Sequence, residues 1–529
     1  MLVIGLLIAP NAIWIVQDQH VWWWDQSVYG YWTLRLWFAR DGGLSHWVDA
    51  NLHAFAVNPP LIGWLGQWFV PLSYITGDVE AAILFVNLSA VAGTLVLVYL
   101  LARRLGAGIG GGLVAPLVCG GSALYVGLIH QFMGETVLAF SAAAMMFGAF
   151  GAERRSAART LAIAVLTTAL ALLSKASSLT FVLPMLAYTV VAMVVKRGRI
   201  RLSAGPADIA FLILAGSTAI AASAWYYTNW QHVAGHFAAA TVGKDALPYG
   251  SAVHLPIKLG FWISSLAQSI SAIEVINVAC VILFVAALTR TVARSFVPKL
   301  GGWIETLLGN GTLFVSALAG TVVLTILAYS LQINEDVRFL TPLIPIVSVV
   351  VAWSASALAS RAVTLTVLTA MAVNAVTTYS YGFGANPLNL RQINWLHRIE
   401  PEATEKARLT RVIRSVCPPD AANALNVVAV SYPTLNANTA NFYAHKERLR
   451  SDYRCGYETT STEVTLDDAL AKLSRLAPAY VLTVAPEKQS PVDFVNILSR
   501  PLAEHLKNDP RFMLAPESDD YLLVYRMKR

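Results

Sequence analysis

The chain is short of charge. Only 13% of its 529 residues are Asp, Glu, Lys or Arg, against 56% hydrophobic residues and a mean hydropathy of +0.57. One soluble core cannot hide that much apolar surface, so a purely water-soluble protein is excluded and lipid is the simplest solvent. Cysteine is scarce too, and four residues are too few for a disulfide scaffold. Residues 1–17 lack a basic start and a small-residue cleavage site, so this stretch reads as a retained span rather than a cleaved signal. No Cys pair is closely spaced and the one close His pair, His232 and His236, has no Cys near it in sequence, which argues against a tight zinc site. No internal repeat or low-complexity tract stands out, which weakens a transporter built from inverted repeats.

What is present is a series of long apolar runs. A hydrocarbon core of ~30 Å takes about 20 apolar residues per helix. Runs of that kind lie near 2–17, 81–102, 109–129, 134–152, 160–174, 176–195, 207–226, 265–289, 311–331, 339–358 and 362–381, which predicts about eleven spans. The net charge of +7 does not point to nucleic acid, because the basic residues are placed for topology. Of the 19 Lys and Arg before residue 385, 13 fall in five short connectors: Arg103 and Arg104; Arg154, Arg155 and Arg159; Lys196, Arg197, Arg199 and Arg201; Arg290, Arg294 and Lys299; and Arg361. By the positive-inside rule these are cytoplasmic, which places 18–80, 130–134, the turn near Lys175, 227–264, 332–338 and everything after the last span outside.

Composition changes sharply near Ala385. Residues 385–529 carry 36 of the 69 charged groups, 19 basic and 17 acidic, too balanced to name a partner by charge. The expected organisation is a membrane module over 1–384 and a soluble extracytoplasmic α/β domain over 385–529. Helical patterns at 391–416, 465–476 and 490–507 alternate there with strand-like runs at 425–432, 480–485 and 521–526. Cys417 and Cys455 both fall in this outer domain and are predicted to be bonded, whereas Cys119 and Cys280 sit inside apolar spans. The first outer loop, 18–80, is rich in aromatics, and its segments Ser27–Arg40 and Pro59–Leu72 read as two short helices at headgroup level.

Four polar groups at the outer ends of apolar spans ask for a reason, because such groups are expensive there. They are Asp25 in WWWDQSVYGYW, Glu135 in HQFMGETVLAF, Lys175 in LLSKASSLTFVLP and Arg338 in EDVRFLTPLIP. Together they suit glycosyl transfer from a polyprenyl-phosphate sugar. A sugar-accepting hydroxyl is a weak nucleophile and needs a carboxylate to take its proton. The leaving phosphate is already a stable anion, so it needs a Lys or Arg more than an acid. Each residue also has an ordinary reading: snorkelling for Lys175 and Arg338, a helix N-cap for Asp25, a favourable first-turn charge for Glu135.

The order of these residues, with Asn58-Pro59-Pro60-Leu61 in the first loop, Pro184 after Lys175 and the Arg338–Pro345 segment RFLTPLIP, resembles the GT-C superfamily, in the branch of protein O-mannosyltransferases and lipid A aminoarabinose transferases. The resemblance implies a GT-C-like polytopic helical fold and an inverting transferase. It would use a polyprenyl-phosphate sugar donor and a lipid, glycan or protein acceptor at the outer face of the inner (plasma) membrane, in contact with membrane lipids and without nucleic acid. It maps the catalytic carboxylate onto Asp25 and a second acid onto Glu135, the pair that would hold a divalent ion if one is used; no other cofactor is implied. The sequence departs from the pattern twice: Gln26 stands where the mannosyltransferases have Glu, and Asn58 where the aminoarabinose transferases have Lys. The donor phosphate therefore falls to Lys175 and Arg338, with Arg35, and with Asn58, His53, His130 and Lys244 as further substrate-binding candidates. The outer segment 227–264, with Tyr226, Tyr227, His232, His236, Lys244 and Tyr249, reads as an amphipathic connector or as a lid that shuts out water. Two rival readings remain: a transporter or flippase, for which Glu274 within the eighth run is the main residue, and an O-antigen-ligase-like enzyme using a diphosphate donor.

Overall fold

In a computed structural model, residues 1–152, 155–195, 205–250, 254–295, 311–386, 388, 396–417, 424–449, 455–461, 463, 465–488 and 496–528 are described. The chain divides into two compact units: residues 1–16, 51–65 and 84–398, and residues 17–50, 66–83 and 399–529. The second unit thus includes most of the first outer loop, which the sequence reading grouped with the membrane module.

The first unit is helical. Among the described residues, seven helices are long and apolar enough to cross a membrane, or eight if the bent pair Ile109–Gly120 and Ala123–Ile129 is one span. Three shorter apolar helices, Leu2–Gln17, Glu135–Ala149 and Leu343–Ala357, accompany them. The expected eighth run, 265–289, is not one helix. It breaks between Leu255–Ile270 and Glu274–Ser295, so Glu274 occupies a helix first turn rather than mid-span.

A break in an apolar helix frees carbonyls that lipid cannot satisfy, so a neighbour must supply donors. One side chain serves two such breaks. Asn374, 1% exposed on helix Arg361–Gly382, donates to Gly121 O (2.9 Å) at the 62° bend and to Ile270 O (3.2 Å), while its Oδ1 accepts from the Ser271 hydroxyl (2.7 Å). Thr378 adds a bond to Gly121 O (3.1 Å). Gly121 is needed for the approach, since a Cβ there would lie 2.9 Å from that of Ala375.

The outer segment 227–264 also differs from expectation. Helix Pro206–Thr241 has 36 residues, about 54 Å at 1.5 Å per residue, far more than a bilayer core of ~30 Å needs. It therefore continues past the span expected at 207–226 and into this outer segment as far as Thr241. Trp225 and Asn229 tie it down by donating to Ala54 O (3.0 Å) and Leu52 O (2.7 Å).

The second unit is α/β. Five strands, β1 (Leu425–Val428), β2 (Gly456–Thr459), β3 (Tyr480–Val484), β4 (Phe512–Leu514) and β5 (Leu522–Met527), form one sheet in the order β2-β1-β3-β5-β4. β1 pairs in parallel with β2 and β3, and β5 runs antiparallel to β3 and β4. Helices Leu466–Leu476 and Ser499–Asn508 turn Ala469, Leu473, Leu502 and Leu506 onto Val427, Val481, Phe512 and Tyr525. Cys417 and Cys455 are joined by a disulfide, with Cα atoms 5.8 Å apart.

The first-loop helix Trp24–Ala39 packs within this unit against helix Ala437–Arg448. Gly30 permits the approach, because a Cβ there would lie 2.7 Å from the Phe442 ring. Trp22 stacks on Phe442 at 4.9 Å, and its carbonyl accepts from the Ser27 (2.7 Å) and Thr439 (3.2 Å) hydroxyls. Below them lies a buried charge cluster. Glu80 accepts from Tyr443 Oη and Lys446 Nζ (both 2.5 Å) and pairs with Lys406, while Asp78 accepts from Lys446 (2.7 Å) and Lys406 (3.0 Å).

Burial pushes the Asp78 carboxyl up, but the two ammonium groups and their hydrogen bonds outweigh it and hold the carboxyl well below the usual range. Its stabilising effect is thus in place above the ordinary carboxylate range and is lost only as pH falls through that depressed value. Glu80→Ala leaves two buried ammonium groups sharing one carboxylate and is expected to cost about 3–5 kcal/mol. Thermal unfolding of the detergent-solubilised protein measures this, and an unchanged midpoint would exclude a stabilising role for the cluster.

Candidate active site

Three of the sequence-predicted groups meet in the first unit. Helix Ala157–Ser174 ends at Lys175, whose extended backbone turns its side chain toward the start of helix Glu135–Ala149. The two chain segments approach closely because position 134 is Gly; a Cβ there would lie 2.9 Å from Ser174 O. Lys175 Nζ then sits 2.6 Å from Glu135 Oε1, with side chains 23% and 4% exposed, and 4.8 Å from the centre of the Phe339 ring.

Phe339 follows Arg338 in a short 3₁₀ turn, Val337–Leu340, capped by Asp336. The Asp336 carboxylate accepts from the Arg338 backbone N–H (3.0 Å), from its Nε (2.7 Å) and from its Nη2 (2.6 Å), while Nη1 lies 3.5 Å from Met133 Sδ. Burial raises the Asp336 pKa, but the Arg338 charge and hydrogen bonds and the Lys175 charge overcome it, so the carboxyl is held below its usual value. Asp336 was missed in the sequence. Its only signal is its place two residues before an Arg, where an Asp caps a turn.

The result is a compact set of two cations and two carboxylates, Lys175 with Glu135 and Arg338 with Asp336. Balanced charges make such a set tolerable to bury. An arriving anion would find both cations already aimed and would only have to displace carboxylates.

The other candidates fall elsewhere. Asp25 lies in the first turn of helix Trp24–Ala39 in the second unit and is exposed. Arg35, exposed on the same helix, lies over Trp32 (4.5 Å) and Tyr31 (5.6 Å). Gln26 beside Asp25 is 4% exposed, and its Oε1 has no hydrogen-bond partner among the described residues. His53 is exposed and Asn58 half-buried in the first unit, just around a turn in which Phe55 (φ 67°) and Ala56 (φ 41°) hold left-handed backbone without being glycine. Strain of that kind has to be stabilised by its surroundings and gathers at functional sites. His130 is 3% exposed, hydrogen-bonded to Asn11 (2.9 Å) and stacked on Trp14 at 3.8 Å. The Lys244 side chain lies outside the described residues. Among the described residues no three His, Cys, Asp or Glu side chains group as a metal site.

The profile of the dolichyl-phosphate-mannose-protein mannosyltransferase family matches residues 57–227. The crystal structure of ArnT from Cupriavidus metallidurans bound to undecaprenyl phosphate superposes with a TM-score of 0.60 at 12% identity, covering 99% of this chain and 97% of that one. Its apo form gives 0.57 at 13% identity over 98% and 97%. The S. cerevisiae protein O-mannosyltransferase Pmt1-Pmt2 complex bound to the sugar donor gives 0.31 at 16% identity over 47% and 35%. No curated protein sequence matches the chain. The fold is therefore the GT-C-type fold seen in ArnT. Over residues 57–227 the chain is similar to the mannosyltransferase family, and its fold is similar to that of ArnT.

Proposed function

We propose that this protein transfers a sugar from a polyprenyl-phosphate donor to a hydroxyl of a lipid, glycan or protein at the extracytoplasmic face, with inversion at C1. The observation that carries this reading is the paired cluster of Lys175 with Glu135 and Arg338 with Asp336. A phosphate monoester anion suits two cations already set on neighbouring turns. Taking Lys175 from Glu135 would leave that carboxylate free to position the acceptor. The undecaprenyl phosphate held by ArnT supports the same donor class.

In the reaction, the acceptor oxygen attacks C1, the C1–O bond to phosphate breaks, and the electron pair leaves on the phosphate, which Lys175 and Arg338 stabilise. The acceptor proton passes to a carboxylate, assigned to Asp25 on its place in the sequence pattern and on the family likeness. Placement of Lys and Arg supports an outer C-terminal domain, and the Cys417–Cys455 bond fits an oxidising compartment.

The test is to incubate the full-length protein in nanodiscs with labelled polyprenyl-phosphate sugars and a panel of hydroxyl acceptors. The expected result is acceptor-dependent release of free polyprenyl phosphate. Donor recovered intact throughout, together with its movement between leaflets in vesicles, would replace this reading with a flippase. Native mass spectrometry of co-purified lipid separates a one-phosphate donor from a diphosphate.

A further inference from the structure

Helix Leu255–Ile270 carries one charged side chain, Lys258, and buries it to 2% exposure. An isolated buried ammonium group is costly, so its partners indicate what it is for. Lys258 Nζ donates to Ile333 O (2.7 Å) and pairs with Glu335 Oε1 (2.9 Å). Both partners lie on the short connector that leads to Arg338.

The same connector is held from a second direction. Ile333 N–H donates to Thr241 O (2.8 Å), Asn334 Nδ2 to Ala240 O (3.0 Å), and Glu335 N–H to Tyr249 O (3.0 Å), with Gly250 and Asn334 forming an antiparallel bridge. Position 250 must be glycine for this, since a Cβ there would lie 1.9 Å from Ile333 O. From Asn334 the contacts run on. Its Oδ1 accepts from Asp336 N–H (2.9 Å), and Asp336 holds the guanidinium of Arg338.

We propose that Lys258 and Gly250 are positioning residues for Arg338: they fix the connector 333–336 so that the guanidinium stands where it can receive an anionic phosphate. Neither residue touches the anion. The inference rests on the reading of Arg338 as a phosphate-holding group and adds the elements that aim it. It also gives the segment after helix Pro206–Thr241 a task other than covering the site.

The test uses the full-length protein in nanodiscs and farnesyl phosphate, a short polyprenyl monophosphate, as probe. Lys258→Met keeps the length of the side chain and removes its charge. Lys258→Met with Glu335→Gln also removes the stranded carboxylate, so it stays informative if the single variant folds poorly. A misplacement of ~1 Å can cost about a hundredfold in function, so the double variant is expected to bind farnesyl phosphate at least about tenfold more weakly. Amide exchange over 333–338 should quicken while exchange in helix Glu135–Ala149 stays unchanged. Gly250→Ala should give the same two changes with Lys258 intact. Adding Arg338→Ala to the double variant should cost nothing beyond Arg338→Ala alone, because residues acting through one group are non-additive. Unchanged exchange at 333–338, or additive losses of binding, overturns the positioning role. Wild-type binding by Arg338→Ala overturns the phosphate assignment itself, and the positioning role with it.

Discussion

Asp25→Asn is expected to lower the transfer rate by about 10²–10⁴, the usual contribution of a positioned general base, with little change in donor KM. The argument starts from where the residue stands. Its neighbours Trp22, Ser27 and Gly30 are buried against helix Ala437–Arg448, so the backbone of this turn is fixed by packing that an exposed Asn leaves intact. The substitution keeps the shape and replaces a charged proton acceptor with a neutral amide. Steady-state kinetics with labelled donor, alongside an unchanged unfolding midpoint, check this; retention of most of the activity would remove Asp25 from the role of base. Gln26→Glu restores the acid of the mannosyltransferase pattern, and its kinetics would show whether that second carboxylate matters in this chain.

Lys175→Met is expected to reduce kcat/KM by about 10²–10³, the range seen when one preorganised charge-stabilising group is lost. Two effects are mixed in that number. The leaving phosphate loses a cation, and Glu135, 4% exposed, is stranded without its partner. The double variant Lys175→Met with Glu135→Gln separates them. It relieves the stranded carboxylate, so stability should return toward wild type, while activity should not. Recovery of transfer in the double variant would show that Lys175 only neutralises Glu135 and leaves the donor phosphate to Arg338 alone.

The features legible in the sequence were those set by local chemistry. Apolar runs mark the helices because hydrocarbon tolerates no unpaired backbone. Lys175, Glu135 and Arg338 stood out because charges at the ends of such runs are costly. Asp336 and Lys258 were not legible. The significance of Lys258 comes from its contact with Ile333, 75 residues away, and that of Asp336 partly from the charge of Lys175, 161 positions earlier, and composition carries no trace of such pairings.

Breaks were misread for a related reason. The interruption at Ser271–Ile273 contains neither Gly nor Pro and stands because Asn374 satisfies it from another helix. In the second unit, β2 and β4 are four and three residues long, too short for alternation to show, and helix Ala437–Arg448 begins within the run NANTAN, residues 436–441, whose asparagines favour turns. The burial of the first-loop helix against that helix depends on Gly30 meeting Phe442, a fit of shapes rather than a pattern along one segment.

Asn374 carries a consequence for how the protein is made. Its helix, Arg361–Gly382, is among the described residues the last apolar helix of its unit to leave the ribosome, yet it provides the donors for carbonyls at breaks 253 and 104 residues earlier. Until it arrives, Gly121 and Ile270 lack that partner in a solvent that offers none. The two early breaks therefore gain this partner only after residue 374 has been made, about seven-tenths of the way along the 529 residues.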